Sequence, residues 1–187
     1  MLHFKFGTKL GQAMRFGHED YWRYCTLYPR ATQVEEKDPE GRPTSRRFLL
    51  SERFPTTLHH FLQVVFGRGG QLHVSTVGIL LVAIVQGLRI MHMDNFAHCG
   101  LREDSIFLTE GLYPILAEFQ STLFCTNEQA EGGKLALQDD GYTPPELLGK
   151  GTLPSDLDLK KVDSYSVGVI LVHMLAGSKD YPRVMPN

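Results

Sequence analysis

The longest apolar run in the chain lies between Leu72 and Met93, and residues 69–88, GGQLHVSTVGILLVAIVQGL, hold no Asp, Glu, Lys or Arg. That approaches the roughly 20 apolar residues of a bilayer-spanning helix. However, His73, Ser75, Thr76, Gln86 and several glycines dilute the run and Arg89 closes it. The pattern therefore predicts a helix buried on most sides within a protein core, and no membrane span. Upstream, Pro55 and the threonines Thr56-Thr57 open a shorter helical stretch, LHHFLQVVF, with a Thr cap, and Gly67-Arg68-Gly69-Gly70 ends it. A third helical stretch runs from Ser164 to Ala176. Ser105-Ile106-Phe107-Leu108 and Tyr113-Pro114-Ile115-Leu116 flank a turn at Thr109-Glu110-Gly111, the pattern of a β-hairpin. Leu2-His3-Phe4-Lys5-Phe6 and Tyr21-Trp22-Arg23-Tyr24-Cys25 alternate like short strands. Residues 31–53 are polar, with Glu35-Glu36-Lys37-Asp38 and Arg46-Arg47, and read as an exposed insertion acting as a mobile connector.

At 187 residues with 42% hydrophobic content, the chain is long enough for one domain with its own core. Its formal net charge is −2 with both signs dispersed. No basic face is available to hold a phosphate backbone, so nucleic acid is not expected as a partner. Cys25, Cys99 and Cys125 are odd in number and widely spaced, against a disulfide framework or a Cys-rich zinc site; they read as small buried apolar residues. His92, His98 and Cys99 do not form a known ligand spacing, and His59-His60 reads as a partly exposed helix pair, so no metal site is expected. The opening MLHFKFGTKL contains no apolar signal-peptide core.

The most informative stretch is His98-Cys99-Gly100-Leu101-Arg102-Glu103-Asp104-Ser105-Ile106-Phe107-Leu108. It is followed in order by Glu118-Phe119-Gln120, Pro144-Pro145-Glu146 and Asp163-Ser164-Tyr165-Ser166-Val167-Gly168. Together these resemble the protein-kinase landmarks HRD-L-K-P-E-N, D-F-G, A-P-E and D-x-W-S-x-G. Glu118 follows Gly100 by 18 residues (118 − 100), room for the hairpin the fold places there. The resemblance covers roughly residues 20 to 178. It implies an α+β, kinase-like fold with a mostly helical C-lobe and a remnant of the N-lobe strands, incomplete at both ends. The implied organisation is an N-lobe remnant and hinge over 1–30, the insertion over 31–53, and a C-lobe over 54–187 truncated after the helix beginning near Asp163.

The resemblance also assigns the site positions. Gly100 stands where the family keeps its catalytic Asp and offers nothing to accept a proton. Cys99 replaces an Arg that pairs with activation-segment phosphates. Arg102 stands for the catalytic-loop Lys, Ser105 for a magnesium-binding Asn, and Glu118 for the D-F-G Asp, one methylene longer. Phe119 keeps its place, and Gln120 replaces a Gly. His98 is implied to pack beneath the loop, and Asp163 to hold the loop's backbone. Tyr165 replaces a core Trp, and Pro145, Glu146 and Gly168 are structural landmarks. Tyr28 sits at the adenine hinge. No Gly-rich loop or strand Lys is identifiable, so the resemblance implies no resident cofactor and at most weak ATP and magnesium binding.

On these grounds the favoured expectation is a catalytically inactive, kinase-like module that binds or scaffolds protein partners and is not an enzyme. Leu27-Tyr28-Pro29-Arg30-Ala31 and Gly141-Tyr142-Thr143-Pro144-Pro145-Glu146-Leu147 resemble the rhoptry kinase and pseudokinase family of apicomplexan parasites, which implies a secreted effector. Two alternatives stay open. One is a diverged active kinase fragment that binds ATP and uses Glu103 or Asp104 as a displaced base. The other is a truncated, nonfunctional gene product.

Overall fold

The structure, a computed structural model, describes residues 21–26, 30–37, 39–125, 141–148 and 157–177. The strand expected at Leu2–Phe6 and the hinge residue Tyr28 lie outside the described residues. The elements in chain order are α1 (Tyr21–Tyr24), β1 (Arg30–Lys37), β2 (Pro43–Leu50), β3 (Thr56–Thr57), α2 (Leu58–Gly67), α3 (Val74–Met93), β4 (Phe96–Ala97), β5 (Ile106–Leu108), β6 (Pro114–Leu116), β7 (Leu123–Phe124) and α4 (Leu159–Ala176). The architecture is α+β, with long helices packed against short strands.

Local chemistry sets most of these boundaries. Thr57 Oγ1 accepts the His60 N–H and caps α2, and Arg68 closes it with its N–H on Phe66 and Val64 carbonyls. His73 caps α3, accepting the Ser75 N–H, and Asp158 caps α4 through the Lys160 N–H. β5 and β6 pair antiparallel, with Ile106 opposite Leu116 and Leu108 opposite Pro114, and β3 adds to the free edge of β5. β4 and β7 form a separate short ladder, with Phe96 opposite Phe124.

Two expectations are corrected. Tyr21–Tyr24 is a helical turn rather than a strand; only Cys25 bridges β6, at Leu116, with the Thr26 N–H on the Leu116 carbonyl at 2.7 Å. The turn packs against both α3 and β6, and that packing overrides strand propensity. The polar 31–53 stretch is not a loose connector: β1 and β2 form a continuous antiparallel ladder from Arg30↔Leu50 to Lys37↔Pro43, turning through Gly41 at φ +80°.

α3 is the central post. By length and composition alone it would pass for a bilayer span, yet Val77, Leu80, Ile84, Leu88 and Met91 face a core shared with Leu58, Leu62, Ile106, Leu108, Leu116, Ile170 and Met174. Gly87 is required where α3 meets β6: a Cβ there would stand 2.8 Å from Leu116 Cδ1 and 3.2 Å from Tyr24 Cβ. The opposite face, with Ile79 and Val82, is exposed. α4 crosses the core with Val162, Val169, Ile170 and Met174 buried. On the same face it carries three polar residues, Asp163, Ser166 and His173. Each of the three holds a loop.

Candidate active site

The loop 98–105 follows α3 and β4, and its first turn is organised by Asp163. That carboxylate is fully buried, and Oδ2 accepts the His98 N–H at 2.9 Å while Oδ1 accepts the Cys99 N–H at 2.8 Å. His92 Nε2 also meets Oδ2, at 2.7 Å. Cys99 takes a positive φ of 56°, a conformation that costs a non-glycine residue about 1–3 kcal/mol and persists only where its surroundings enforce it. The Asp163 carboxylate supplies that enforcement.

His98 lies fully buried beneath the loop. Its Nε2 donates to the Ala117 carbonyl at 2.8 Å, which leaves Nδ1 as the lone-pair nitrogen of the neutral ring. Burial lowers its pKa, opposed by the nearby Asp163 charge, so the ring is neutral. Nδ1 has no hydrogen-bond partner among the described residues. The Phe119 ring packs on His98 with centroids 5.4 Å apart, which joins the loop to the Glu118-Phe119-Gln120 turn.

Gly100 is where the loop passes closest to that turn. A Cβ on Gly100 would stand 3.0 Å from both Cβ and Oγ of Ser121. Ser121 thus crowds the space a side chain at position 100 would enter. Burial, with the Asp163 charge adding to it, holds the Cys99 thiol in its protonated form, so it has little nucleophilic character.

The far end of the loop is closed by Ser105. Its Oγ accepts the Arg102 N–H and donates to the Arg102 carbonyl, each at 2.9 Å, and its carbonyl receives the Ala117 N–H at 2.8 Å. The hydroxyl is buried and engaged in the loop as donor and acceptor, so Ser105 is a weaker candidate for a magnesium ligand than an exposed carboxylate. Glu118 is such a carboxylate. It is exposed, sits at φ 60° where β6 leads into a 3₁₀ turn, and is braced by Gln120 Nε2 donating to Oε2 at 2.8 Å. The left-handed residue of this turn is therefore Glu118 itself, with Gln120 serving as its brace. Among the described residues, no three His, Cys, Asp or Glu side chains cluster as a metal site. Magnesium is often held by one carboxylate plus substrate phosphates and waters, and Glu118 fits that arrangement.

Arg102 Nη2 pairs with Asp104 Oδ2 at 3.3 Å near the surface, and its guanidinium lies 5.6 Å from the Tyr142 ring centre. Glu103 is buried, with 2% of its surface exposed. Its Oε1 meets His173 Nδ1 at 2.5 Å, and its Oε2 receives the Tyr142 hydroxyl. Burial alone would raise the Glu103 pKa, but hydrogen bonds from His173 and Tyr142 and the His173 charge outweigh it, so the group sits below its ordinary value. Burial, followed by the Glu103 charge, pushes the Tyr142 hydroxyl upward. Glu103 is thus engaged on both oxygens, unlike Asp104, and is not placed to act as a displaced base.

In the segment 141–148, Pro144 and Leu147 are buried while Pro145 and Glu146 are exposed. Tyr165 is exposed at 37%, so it is not the core anchor the sequence suggested, and Gly168 is also exposed. His173 and the fixing role of Tyr142 were not foreseen. A lone His on the buried stripe of an apolar helix was the available signal, since a buried imidazole calls for a partner.

A family model of the protein kinase domain matches residues 33–185, and the chain belongs to that family. Among its relatives, the serine/threonine-protein kinase dkf-1 of Caenorhabditis elegans is 27% identical over 115 residues, covering 58% of this chain and 15% of the relative. The Wee1-like protein kinase of Oryza sativa subsp. japonica is 29% identical over 100 residues, 54% of this chain and 18% of the relative. The serine/threonine-protein kinase HAL5 of Candida glabrata is 26% identical over 111 residues, 58% of this chain and 13% of the relative. The matched part therefore spans less than a fifth of each relative's length. These relatives are named as protein kinases and point to an enzyme; the expectation of a non-enzyme, drawn from Gly100, is corrected on that ground.

Proposed function

We propose that this chain is part of a diverged protein kinase that binds ATP with magnesium and transfers the γ-phosphoryl group to a protein hydroxyl, serine or threonine by analogy with its relatives. The observation that carries this is Glu118: an exposed carboxylate at a strained, braced turn, locked through Phe119 onto the His98 loop that Asp163 holds. Magnesium held there would neutralise charge on the transferring phosphates. Arg102 supplies a cation for phosphate, and Asp104 beside it is the carboxylate that remains available to receive the hydroxyl proton.

Gly100 lowers the rate without removing the basis of the reaction. Phosphoryl transfer depends mostly on positioning and electrostatic stabilisation, and a general base contributes about 10²–10⁴-fold. A kinase of this form is slow. The test is incorporation of labelled γ-phosphate into a generic protein substrate with magnesium, for the wild type, Glu118→Ala and Asp104→Asn. Transfer above background that falls at least about tenfold in each variant supports the proposal. Transfer indifferent to Glu118, or absent from the wild type, overturns it.

A further inference from the structure

Glu103 presents an unexplained expense in the fold. Taking a carboxylate out of water costs several kcal/mol, and the loop already closes on itself through Ser105 and Arg102. Its two oxygens reach residues 39 and 70 positions away, Tyr142 in the segment 141–148 and His173 on α4. Ser166, also on α4, donates to the Tyr142 carbonyl at 3.0 Å, and the Tyr142 ring stands edge-on to His173 at 5.8 Å. The other side of Tyr142 lies near Arg102, which is paired with Asp104.

We infer that Glu103, Tyr142 and His173 form a positioning latch: one buried carboxylate, held by two donors from distant parts of the chain, ties segment 141–148 to loop 98–105 and sets the wall against which Arg102 and Asp104 lie. Neither segment keeps its place alone. When Tyr142 withdraws, Glu103 keeps only His173 and its second oxygen is left buried without a donor, which favours rearrangement of the loop. Coupling of this kind is two-state, because the carboxylate is either paired in the core or exposed to water. The consequence for catalysis rests on the phosphotransfer proposal; the coupling itself does not.

The test is hydrogen exchange on the whole chain without nucleotide, for Glu103→Gln, Tyr142→Phe and the double variant, with phosphate transfer measured in parallel. Both substitutions preserve volume, and Tyr142→Phe keeps the ring near Arg102. If Glu103→Gln does not fold, the Tyr142→Phe comparison decides alone. Each single variant should speed exchange about tenfold or more in both 100–105 and 141–148, as expected for losing a hydrogen bond to a charged group. The double variant should be no faster than the more severe single. His173→Gln, which keeps a donor, should retain more protection than His173→Leu. In transfer assays kcat should fall while KM for ATP stays within about twofold. Loosening confined to one segment, or additive effects in the double variant, overturns the latch. Loosening of both segments in a protein that transfers no phosphate supports the latch and overturns the phosphotransfer proposal.

Discussion

The loop 98–105 is anchored at its two ends by different kinds of group. At its start, Asp163 grips the backbone N–H groups of His98 and Cys99; toward its end, Glu103 is gripped through its own side chain by Tyr142 and His173. A backbone grip does not depend on which side chain the loop carries. Cys can therefore stand at 99, and Gly at 100, while the loop keeps its path. A side-chain grip holds only with the right residue at each of three distant positions. Change in the loop's own side chains is thus tolerated at the first anchor, provided Asp163 stays, and would be costly at the second.

Removing the first anchor should produce the largest effect. Asp163→Ala strands two loop N–H groups and the His92 contact, and should destabilise the protein by about 4 kcal/mol, read as a shift of the urea midpoint at constant slope. Cys99→Ala, at a residue the clamp holds only by its backbone, should stay within about 1 kcal/mol. Similar losses for both would break the distinction between the two anchors.

Much of the framework was legible because local rules govern it. The Thr cap of α2, the apolar run of α3 and the hairpin around Thr109–Gly111 are written in neighbouring residues. Tyr21–Tyr24 was not legible, since its alternation fits a strand and only packing on α3 and β6 makes it a helical turn. The β1–β2 ladder was hidden by runs of charged residues that mask the strand pattern. At the site, the landmark order pointed to Asp163 and Glu118, whereas the Glu103 anchor joins positions 103, 142 and 173, a relation no local pattern states. Local sequence also left open whether Glu103 was a base or a structural carboxylate; burial and two donors settle it.

The second anchor should come next in size. Glu103→Ala leaves His173 and Tyr142 without their shared acceptor and should cost about 3 kcal/mol at neutral pH. Its pH dependence sharpens the comparison. The folded pKa of Glu103 lies below its ordinary value of 4.5, so the stabilisation is fully present above that value and is lost as pH falls through the lower folded value. The stability gap between wild type and Glu103→Gln should be widest above about pH 5 and close in stronger acid. Chemical denaturation across that range measures it, and a gap independent of pH would contradict a charged carboxylate at the anchor.

The smallest effect should appear at Gly100. A Cβ there meets Ser121 at 3.0 Å, so Gly100→Ala should cost about 1 kcal/mol. Ser121→Gly should relieve most of it in the double variant, which thermal melting can resolve. For the same reason, Gly100→Asp should raise phosphate transfer more in the Ser121→Gly background than alone.

The central claim is that the Glu118 turn holds magnesium and ATP. The most direct measurement is calorimetric titration of ATP into the wild type and Glu118→Ala, each with magnesium and with chelator. Magnesium-dependent binding to the wild type, weakened at least about tenfold by loss of one carboxylate ligand, is the result the phosphotransfer proposal predicts. Binding that ignores both magnesium and Glu118, or no binding at all, would contradict it.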